Sequence, residues 1–434
     1  MKKIKVVLIC HFSNAQVREQ LSLDNRILYS LTRRLLNMPS KNTGFADIAP
    51  WDTHLISFLS KRENIDLHVI SAHTGLKKMQ HSFKLGNVHY YFVKADYTTL
   101  MKKLIRNDNF WRKMNPMRFV VRKLVDKISP DIVNLIGAEN AYISGTVLDI
   151  HKYPVFVLCQ TIYNNPDRSK YGIVDSKNAS TEMLIFNKEI YFGVYSKMHY
   201  NLLLKNKPDA IVFDFNWPTE KLPAVKPIEE KIYDFVNFAA GLSLNKGFHD
   251  SIQALAIVKK RYPNVKLNLV GGGDSDAKQE LEFLIKSLEL KHNVVFTSFF
   301  EKQEDMFQHL QYSRFAVLPC KMDNISGTML QAMYYGLPLV VYKTTGTPSL
   351  NKDNECVLIS EHSDVKSLAE NMLLLMENPH KAQSLRQNAR EYMNKTADND
   401  KIVGRLVADY KAIIEHYRQN IAIPQDLLFK LEKQ

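Results

Sequence analysis

A loop in the second half of the sequence combines glycine, lysine and the start of a helix. Residues 241–247 read GLSLNKG, and the segment that follows has the apolar spacing of a helix, beginning with Ile252 and Leu255. Unpaired N–H groups at a helix start, the helix dipole and the ammonium of Lys246 all attract an anion. The loop therefore suits a phosphate group, although a solvated loop lysine explains it equally well.

A second stretch, residues 315–350, brings more polar side chains to a helix start. It contains the helix-starting residues Ser326, Gly327 and Thr328, preceded in the loop by Asp323 and followed one turn later by Gln331. Small residues in a first turn leave N–H groups free for an anion. Each residue alone also has an ordinary explanation, as a cap, a loop carboxylate or a surface amide. Together with Lys246 they predict one anion-binding site.

A glycine run follows the predicted strand VKLNLV and precedes a helix. Its sequence, GGGDSD at 271–276, lacks the third glycine of the dinucleotide-binding pattern G-x-G-x-x-G. We interpret it as a tight turn at which the backbone of Gly272 approaches a ligand closely.

Candidate side chains in the first half follow predicted strands. They are His11 and Asn14 after the first strand, Glu139 after strand 131–136, and Tyr163, Asn164 and Arg168 after strand 154–159. Ligands of open parallel sheets bind outside the carboxyl ends of the strands, so all six are candidates for substrate binding or proton transfer. For His11 and Glu139 the alternative is a loop side chain that is satisfied locally.

The elements that would position these residues alternate between strand and helix. Predicted strands cover 5–10, 66–71, 88–93, 131–136, 154–159 and 210–215, then 234–240, 265–270, 293–298, 315–319, 338–342 and 356–360. Predicted helices cover 18–37, 97–128 with a break near Pro116, 141–150 and 179–204, then 247–261, 276–289, 303–312, 327–335, 364–376, 379–394 and 400–419. This alternation predicts an α/β fold with two doubly wound, Rossmann-like parallel-sheet domains.

The expected domains are an amino-terminal domain at 1–215, a linker at 216–231 and a second domain at 232–399. The linker contains three prolines and no periodicity. Residues 400–434 are expected to form a helix and tail that return to the first domain. The two domains are expected to face each other across a ligand-binding crevice.

Composition excludes several classes of protein. The 434 residues are 45% hydrophobic and 24% charged, which suits folded domains and argues against disorder. No apolar run is long enough for a transmembrane helix, and the opening MKKIKVVLIC is too short for a signal peptide. The four cysteines are far apart, which predicts reduced core thiols. We therefore expect a cytoplasmic protein.

The net charge of +13 is concentrated in one place. Residues 101–127 contain nine basic and two acidic residues, interleaved with apolar ones. A basic amphipathic segment suits peripheral contact with an anionic membrane, here the inner face of the cell membrane. Two helices that cover the sheet with solvated lysines outside are the alternative. Nucleic acid is not expected as a partner, because no recognition module accompanies the charge.

Three motifs together resemble a known family. FAAGLSLNKG, LNLVGGG and DNISGTMLQAMYYGLPLVV resemble, in order and spacing, the donor-binding domain of retaining glycosyltransferases of family 4, which have the GT-B fold. In the first half, CHFSN with Arg18, DIAPW, HVISAH and GAENAYIS resemble the acceptor domain of the capsular and extracellular polysaccharide subset.

The resemblance implies roles for the donor side. The lysine that matches Lys246 contacts the donor diphosphate, and main-chain N–H groups at Ser326, Gly327 and Thr328 bind the same group. The family residue that matches Asp323 approaches the transferred sugar, and the one that matches Gln331 accepts hydrogen bonds from the nucleotide ribose. The loop with Asn14 lies where related enzymes carry a glycine-rich turn that touches the donor phosphates. Tyr163, Asn164 and Arg168 would then bind the acceptor.

The sequence departs from the family pattern at three positions. The family has an arginine where this chain has Gly241, and glutamates where it has Asp323 and Gln331. A neutral hydrogen bond from Gln331 contributes about 0.5–1.5 kcal/mol, against about 1.5–3 kcal/mol for a charged one. We hypothesise that Arg18 partly replaces the missing arginine, with a surface helix residue as the alternative.

The resemblance implies a metal-independent hexosyltransferase that acts on a nucleotide diphosphate sugar and a growing, lipid-linked glycan in bacterial surface polysaccharide synthesis. Lys246, Asp323, Glu139 and His11 are the candidate catalytic residues. Neither a metal nor a cofactor is expected. The alternatives are a weakened or inactive homologue that binds a glycan or partner, an epimerase of the same fold, and a nucleic-acid-binding protein.

Overall fold

The structure is a computed structural model that describes most of the chain. The described residues are 3–23, 48–73, 75–95, 116–166, 168, 176–219, 222–272, 275–297, 300, 302–321, 325–344, 346–396 and 398–430. They divide into two compact units. Unit 1 comprises Met1–Glu220 and Asp398–Gln434, and unit 2 comprises Lys221–Ala397.

Unit 1 contains an eight-stranded sheet. Its strands are β1 (Ile4–Ile9), β2 (Ile65–His73), β3 (Gln80–Leu85), β4 (Val88–Lys94), β5 (Ile132–Ile136), β6 (Val155–Leu158), β7 (Tyr191–Val194) and β8 (Ile211–Asp214), in the order β3-β4-β2-β1-β5-β6-β7-β8. All neighbours pair in parallel except β3 and β4, which are antiparallel. The central strands are apolar runs because helices cover both faces of the sheet, and every residue of β5 is buried.

The helices of unit 1 pack on this sheet. They are α1 (Ala15–Gln20), α2 (Pro50–Ser60), α3 (Pro116–Ile128), α4 (Ser176–Lys188), α5 (Lys197–Asn206) and α12 (Asn399–Gln419). Side-chain caps fix several starts; for example, the Asn14 side chain accepts a hydrogen bond from Val17 N at 2.9 Å. Helix α12 buries Leu406, Tyr410 and Ile413 in the same core as β1 and β2.

Unit 2 contains a six-stranded, all-parallel sheet. Its strands are β9 (Tyr233–Gly241), β10 (Leu267–Gly272), β11 (Val294–Thr297), β12 (Ser313–Leu318), β13 (Leu339–Tyr342) and β14 (Leu358–Ser360), in the order β11-β10-β9-β12-β13-β14. Its helices are α6 (Phe248–Lys259), α7 (Ser275–Ser287), α8 (Gln303–Leu310), α9 (Gly327–Tyr334), α10 (Val365–Glu377) and α11 (Pro379–Thr396). Two apolar clusters, one on each face of the sheet, form the core.

Three helix predictions were wrong, and two elements were missed. The helix predicted at 179–204 is interrupted by β7, whose four residues are all buried, and α1 ends at Gln20, before the predicted end at 37. The segment predicted as a helix at 141–150 is a 3-10 turn at Ser144–Asp149. Strand β3 and helix α2 were not predicted at all. Residues 24–37 and 97–115 lie outside the described residues, so the helices predicted there stay predictions.

Two predictions about composition can be compared with the structure. All four cysteines are buried and free, which confirms the prediction of reduced core thiols. Among the described helices, none is long and apolar enough to cross a membrane.

Candidate functional site

In unit 2 the parallel sheet brings three predicted loops to one edge. Strands β9, β10 and β12 are neighbours in the order β10-β9-β12. The loops at their carboxyl ends carry Lys246, Gly272 and Ser326, respectively. Because the carboxyl ends of parallel strands meet at the same edge of a sheet, these three predicted residues lie together at that edge.

The Lys246 loop is held close to the end of β12. Lys246 ends a 3-10 turn at Leu244–Lys246, and Gly247 follows with φ of 74°. A Cβ at Gly247 would lie 2.2 Å from Pro319 O, so only glycine fits there. The backbone N–H of Lys321 donates to Asn245 O at 2.9 Å and ties the two loops together. Helix α6 starts directly after this glycine.

The start of helix α9 is capped as predicted. Ser326 Oγ accepts from Met329 N at 3.3 Å and lies 2.8 Å from Thr328 Oγ1. A Cβ at Gly327 would meet no atom within 4 Å, so the backbone is open at this position. The first N–H groups of a helix have no partner within the helix, and this open turn can offer them to an anion. Gln331 is partly buried on α9.

Two glycines mark the ends of β9 and β10. Gly241 pairs with Gly272, and Leu242 N donates to Gly272 O at 2.9 Å. A Cβ at Gly271 would lie 2.4 Å from Ala239 O, which explains why a glycine is needed beside this pair. By contrast, a Cβ at Gly241 would meet only Gly272 O, at 3.8 Å, so a side chain fits there. Asp323 lies outside the described residues.

In unit 1 the loops after β1 and β5 meet through a histidine and an amide. Asn140 Nδ2 lies 3.1 Å from His11 Nδ1, so the residue next to Glu139 contacts the first loop. Burial lowers the pKa of His11, which favours the neutral imidazole. A neutral ring can accept a proton at one nitrogen, as the predicted role in proton transfer requires.

Glu139 is held by side chains that the sequence did not single out. The amide of Gln160, oriented by its neighbours, donates to Glu139 Oε1 at 3.0 Å and accepts from Trp51 Nε1 at 2.8 Å. In this orientation Asp52 Oδ1 lies 3.3 Å from the amide oxygen of Gln160, so a hydrogen bond there requires a proton on Asp52. Glu139 Oε2 is buried and has no hydrogen-bond partner among the described residues. The Glu139 carboxyl also fills the space where a Cβ of Gly137 would lie.

Burial favours the protonated form of Glu139. Burial, with a smaller contribution from the charge of Glu182, raises the pKa of Glu139 to about 7, and a hydrogen bond from its own backbone and the charge of Arg168 oppose the shift. Burial, followed by the charge of Glu139, raises the pKa of Asp52 well above its ordinary value. Two buried carboxyls that disfavour each other's ionisation can share protons near neutral pH. Glu139 therefore has the protonation behaviour of a general acid or base.

The three residues after β6 are engaged within unit 1. Glu182 accepts from the backbone N–H groups of Tyr163 and Asn164, at 2.9 and 2.8 Å, and from Asn164 Nδ2 at 2.8 Å. The guanidinium of Arg168 stacks on the Tyr163 ring at 3.8 Å and donates to Thr161 Oγ1 at 2.9 Å. These contacts fix the shape of the loop.

Arg18 lies near the end of α1. Its Nη1 donates to Ser13 Oγ at 3.0 Å, within the loop that also carries Asn14. Both residues therefore belong to the carboxyl edge of the unit 1 sheet, as predicted from their positions after β1.

Sequence reasoning missed several residues at these edges. Asp52 lies on α2, a helix that was not predicted, and Glu182 was assigned to a helix without a role. Trp51, also on α2, ends the DIAPW stretch that carries the resemblance, but it was given no role of its own. Gln160 directly follows Cys159 at the end of a predicted strand, so the rule that ligands bind after strands could have found it.

The family comparison falls on unit 2. Residues 220–392 match the family model described as "Glycosyl transferases group 1". The matched range includes Lys246, Gly272 and the start of α9, which are the predicted anion-binding residues.

Similar curated proteins are glycosyltransferases by name. An uncharacterized glycosyltransferase of Haemophilus influenzae is 22% identical over 170 residues, which cover 39% of this chain and 45% of that protein. The chain thus spans less than half the length of that relative. The capsular polysaccharide biosynthesis glycosyltransferase CapM of Staphylococcus aureus is 20% identical over 391 residues, covering 83% of this chain and 93% of CapM.

Solved structures identify the fold. Sucrose-phosphate synthase from Thermosynechococcus elongatus superposes with a TM-score of 0.68 at 14% identity, over 94% of this chain and 98% of that one. The fold is GT-B. HepE from Anabaena, solved in complex with UDP and glucose, gives a TM-score of 0.62 at 14% identity, over 94% of this chain and 99% of that chain. The predicted α/β fold with two doubly wound units is thereby confirmed.

Proposed function

We propose that the protein is a retaining glycosyltransferase of family 4 that uses a nucleotide diphosphate sugar. The observation that carries this proposal is the shared edge of Lys246, Gly272 and the capped start of α9. This edge lies within the range that matches the group 1 family model. The bound UDP in HepE, a protein of the same fold, supports a nucleotide as the donor's leaving group.

On the donor side the proposed chemistry is electrostatic. Lys246 and the N–H groups of α9 would stabilise the negative charge that develops on the departing diphosphate. Asp323 would position the sugar, and Gln331 would accept a hydrogen bond from the ribose. Because these groups belong to the protein, we propose that the reaction needs neither a metal nor a cofactor.

On the acceptor side the proposed chemistry is proton transfer. The acceptor is a hydroxyl of a growing glycan, which must lose a proton as the new glycosidic bond forms. Glu139, with a pKa of about 7, is suited to accept that proton near neutral pH, and neutral His11 is the second candidate. Tyr163, Asn164 and Arg168 would shape the loop that holds the glycan.

We further propose a hexose as the transferred sugar and a lipid-linked glycan of bacterial surface polysaccharide as the acceptor. CapM, a capsular polysaccharide enzyme by name, supports this assignment through similarity over most of both chains. In α3, Arg122 and Lys123 are exposed and lie over the ring of Phe119, which is 50% exposed. This basic and aromatic surface supports peripheral membrane contact. The remainder of the predicted basic segment, 101–115, lies outside the described residues.

The test is a panel of nucleotide sugars followed by product analysis. Donor binding should raise the melting temperature of unit 2, since a ligand that binds only the folded state stabilises it. NMR of the product should show the anomeric configuration of the donor retained, and Lys246→Met should abolish the thermal shift. Absence of a shift with every donor would instead favour the second candidate, an inactive homologue, which the substitutions at Gly241, Asp323 and Gln331 motivate.

A further inference from the structure

A buried ion pair lies beside the Lys246 loop in unit 2. Lys321 Nζ lies 2.8 Å from Asp250 Oδ1, and Tyr342 Oη donates to Asp250 Oδ2 at 2.8 Å. Asp250 is 4% exposed and Tyr342 is fully buried. Since both oxygens of Asp250 are engaged, the carboxylate is fixed in place and anchors the ammonium of Lys321.

The ammonium of Lys321 retains hydrogen-bonding capacity. An ammonium has three N–H donors. Within the described ranges, Asp250 is the one side chain that pairs with it, and the Lys321 side chain is 20% exposed. The backbone is held independently, because Lys321 N donates to Asn245 O and His362 Nε2 lies 3.0 Å from Lys321 O. The remaining N–H groups can therefore bind an anion without disturbing the loop.

The position of Lys321 follows from the pairing of β12 with β9 and from one backbone hydrogen bond beyond it. Strands β12 and β9 pair with Ser313 opposite Tyr233 and Ala316 opposite Val236. β12 ends at Leu318, and beyond it the Lys321 N–H donates to Asn245 O at 2.9 Å, which places Lys321 beside the residue that precedes Lys246. Lys321 therefore lies at the same edge of the sheet as Lys246.

We propose that Lys321 is a second cationic ligand of the donor diphosphate, acting together with Lys246. This inference rests on the proposed function. A diphosphate carries more negative charge than one lysine balances, and a charge-assisted N–H to phosphate contact is stronger than a neutral one. Asp250 holds the ammonium at the site before the donor arrives, so little ordering is needed on binding. A cation at this position would also stabilise the leaving group during transfer.

Gly241 offers an independent way to test the position of this charge. A side chain fits there, because a Cβ would meet only Gly272 O at 3.8 Å. An arginine at 241 would extend from the end of β9, where the loop begins whose Asn245 O accepts from Lys321 N. Gly241→Arg should therefore restore a cation that has been removed from position 321.

The experiment measures nucleotide affinity by calorimetry in the full-length protein. The probes are UDP and GDP, with uridine and guanosine as probes that lack phosphate. Lys321→Met leaves a buried carboxylate without its partner, which can destabilise the fold. The companion variant Lys321→Met/Asp250→Asn removes both charges and retains the Tyr342 contact. Lys266→Met is the matched control, because Lys266 directly precedes β10 at the opposite edge and donates to His292 O.

Both Lys321 variants should bind the diphosphate about tenfold more weakly and the nucleoside with unchanged affinity, as expected for one lost charged contact. Adding Gly241→Arg to the companion variant should recover most of that loss, and Lys266→Met should match the wild type. An unchanged diphosphate affinity in the companion variant, alongside a clear loss in Lys246→Met, would overturn the role of Lys321 alone. Equal weakening of nucleoside and diphosphate would also overturn it. A wild-type protein that binds neither nucleotide would overturn the proposed function as well.

Discussion

A buried carboxyl on helix α12 makes the stability of unit 1 depend on pH. Asp409 is fully buried, and neither of its oxygens has a hydrogen-bond partner among the described residues. Burial raises its pKa to about 8; Arg405 opposes this shift, and Asp214 adds to it. The perturbation we consider is Asp409→Asn, which keeps the shape and removes the charge.

The magnitude follows from the difference between folded and unfolded pKa values. An aspartate in an unfolded chain titrates near pH 3.9, so at pH 7 the unfolded state has lost a proton that the folded state still holds. Between the unfolded and the folded pKa, each pH unit lowers the free energy of unfolding by about 1.4 kcal/mol, which amounts to about 4 kcal/mol at pH 7. The cost is absent below pH 4, grows as the pH rises and levels off above pH 8. Asp409→Asn should therefore be more stable than wild type by up to about 4 kcal/mol at pH 7, and similar at pH 4.

The assay is urea unfolding between pH 4 and pH 8, followed by tryptophan fluorescence. All three tryptophans of the sequence, at 51, 111 and 217, belong to unit 1, so the signal reports the unit that contains α12. Glu415→Gln is the control, because Glu415 is exposed on the same helix. If the free energy of unfolding of Asp409→Asn and wild type changes with pH by the same amount, Asp409 is not buried as an uncompensated acid and the reasoning is refuted.

Three further predictions concern the candidate site. Wild type should lose activity below pH 7, where Glu139 becomes protonated. Glu139→Gln should lower kcat/KM by about 10²–10⁴-fold and remove this pH dependence. A variant that still loses activity below pH 7 would argue against Glu139 as the base. Gly247→Ala should destabilise unit 2 and weaken nucleotide binding, because its Cβ would overlap Pro319. The control is Gly404→Ala, where nothing lies within 4 Å of the added Cβ, and this change should raise stability by up to about 1 kcal/mol. Equal melting temperatures of the two variants would contradict the packing argument. Arg18→Ala should weaken donor binding and slow turnover in a steady-state assay, and unchanged values of both would exclude Arg18 as the replacement for the missing arginine.

Most strands of both sheets could be predicted because burial on both faces leaves a strong local signal. β13 is a continuous buried run and β5 is apolar apart from Asn134, and the structure confirms both strands within one or two residues. β3 was missed because its sequence, QHSFKL, alternates exposed and partly buried residues at the edge of the sheet. β7 has only four residues between two helices, so the helical periodicity on either side concealed it.

Part of the candidate site could be predicted because loop and helix starts are encoded locally. Ser326 and Lys246 are adjacent in sequence to the elements that position them. The partners of Glu139 and Lys321 could not be predicted in this way. Gln160 and Asp250 reach them only after the strands have paired, and a contact between distant segments leaves no periodic signal in the sequence.

The place of α12 in unit 1 has a consequence for synthesis on the ribosome. Leu406, Tyr410 and Ile413 complete a core whose other members, including β1 and β2, are translated hundreds of residues earlier. The hydroxyl of Tyr410 also donates a hydrogen bond to Asn134 Oδ1 of β5, at 2.6 Å. All of unit 2 is translated before this helix, so unit 2 can finish folding first, while the nascent unit 1 waits with an open apolar surface. A chaperone that shields this surface until α12 leaves the exit tunnel would raise the yield of folded protein.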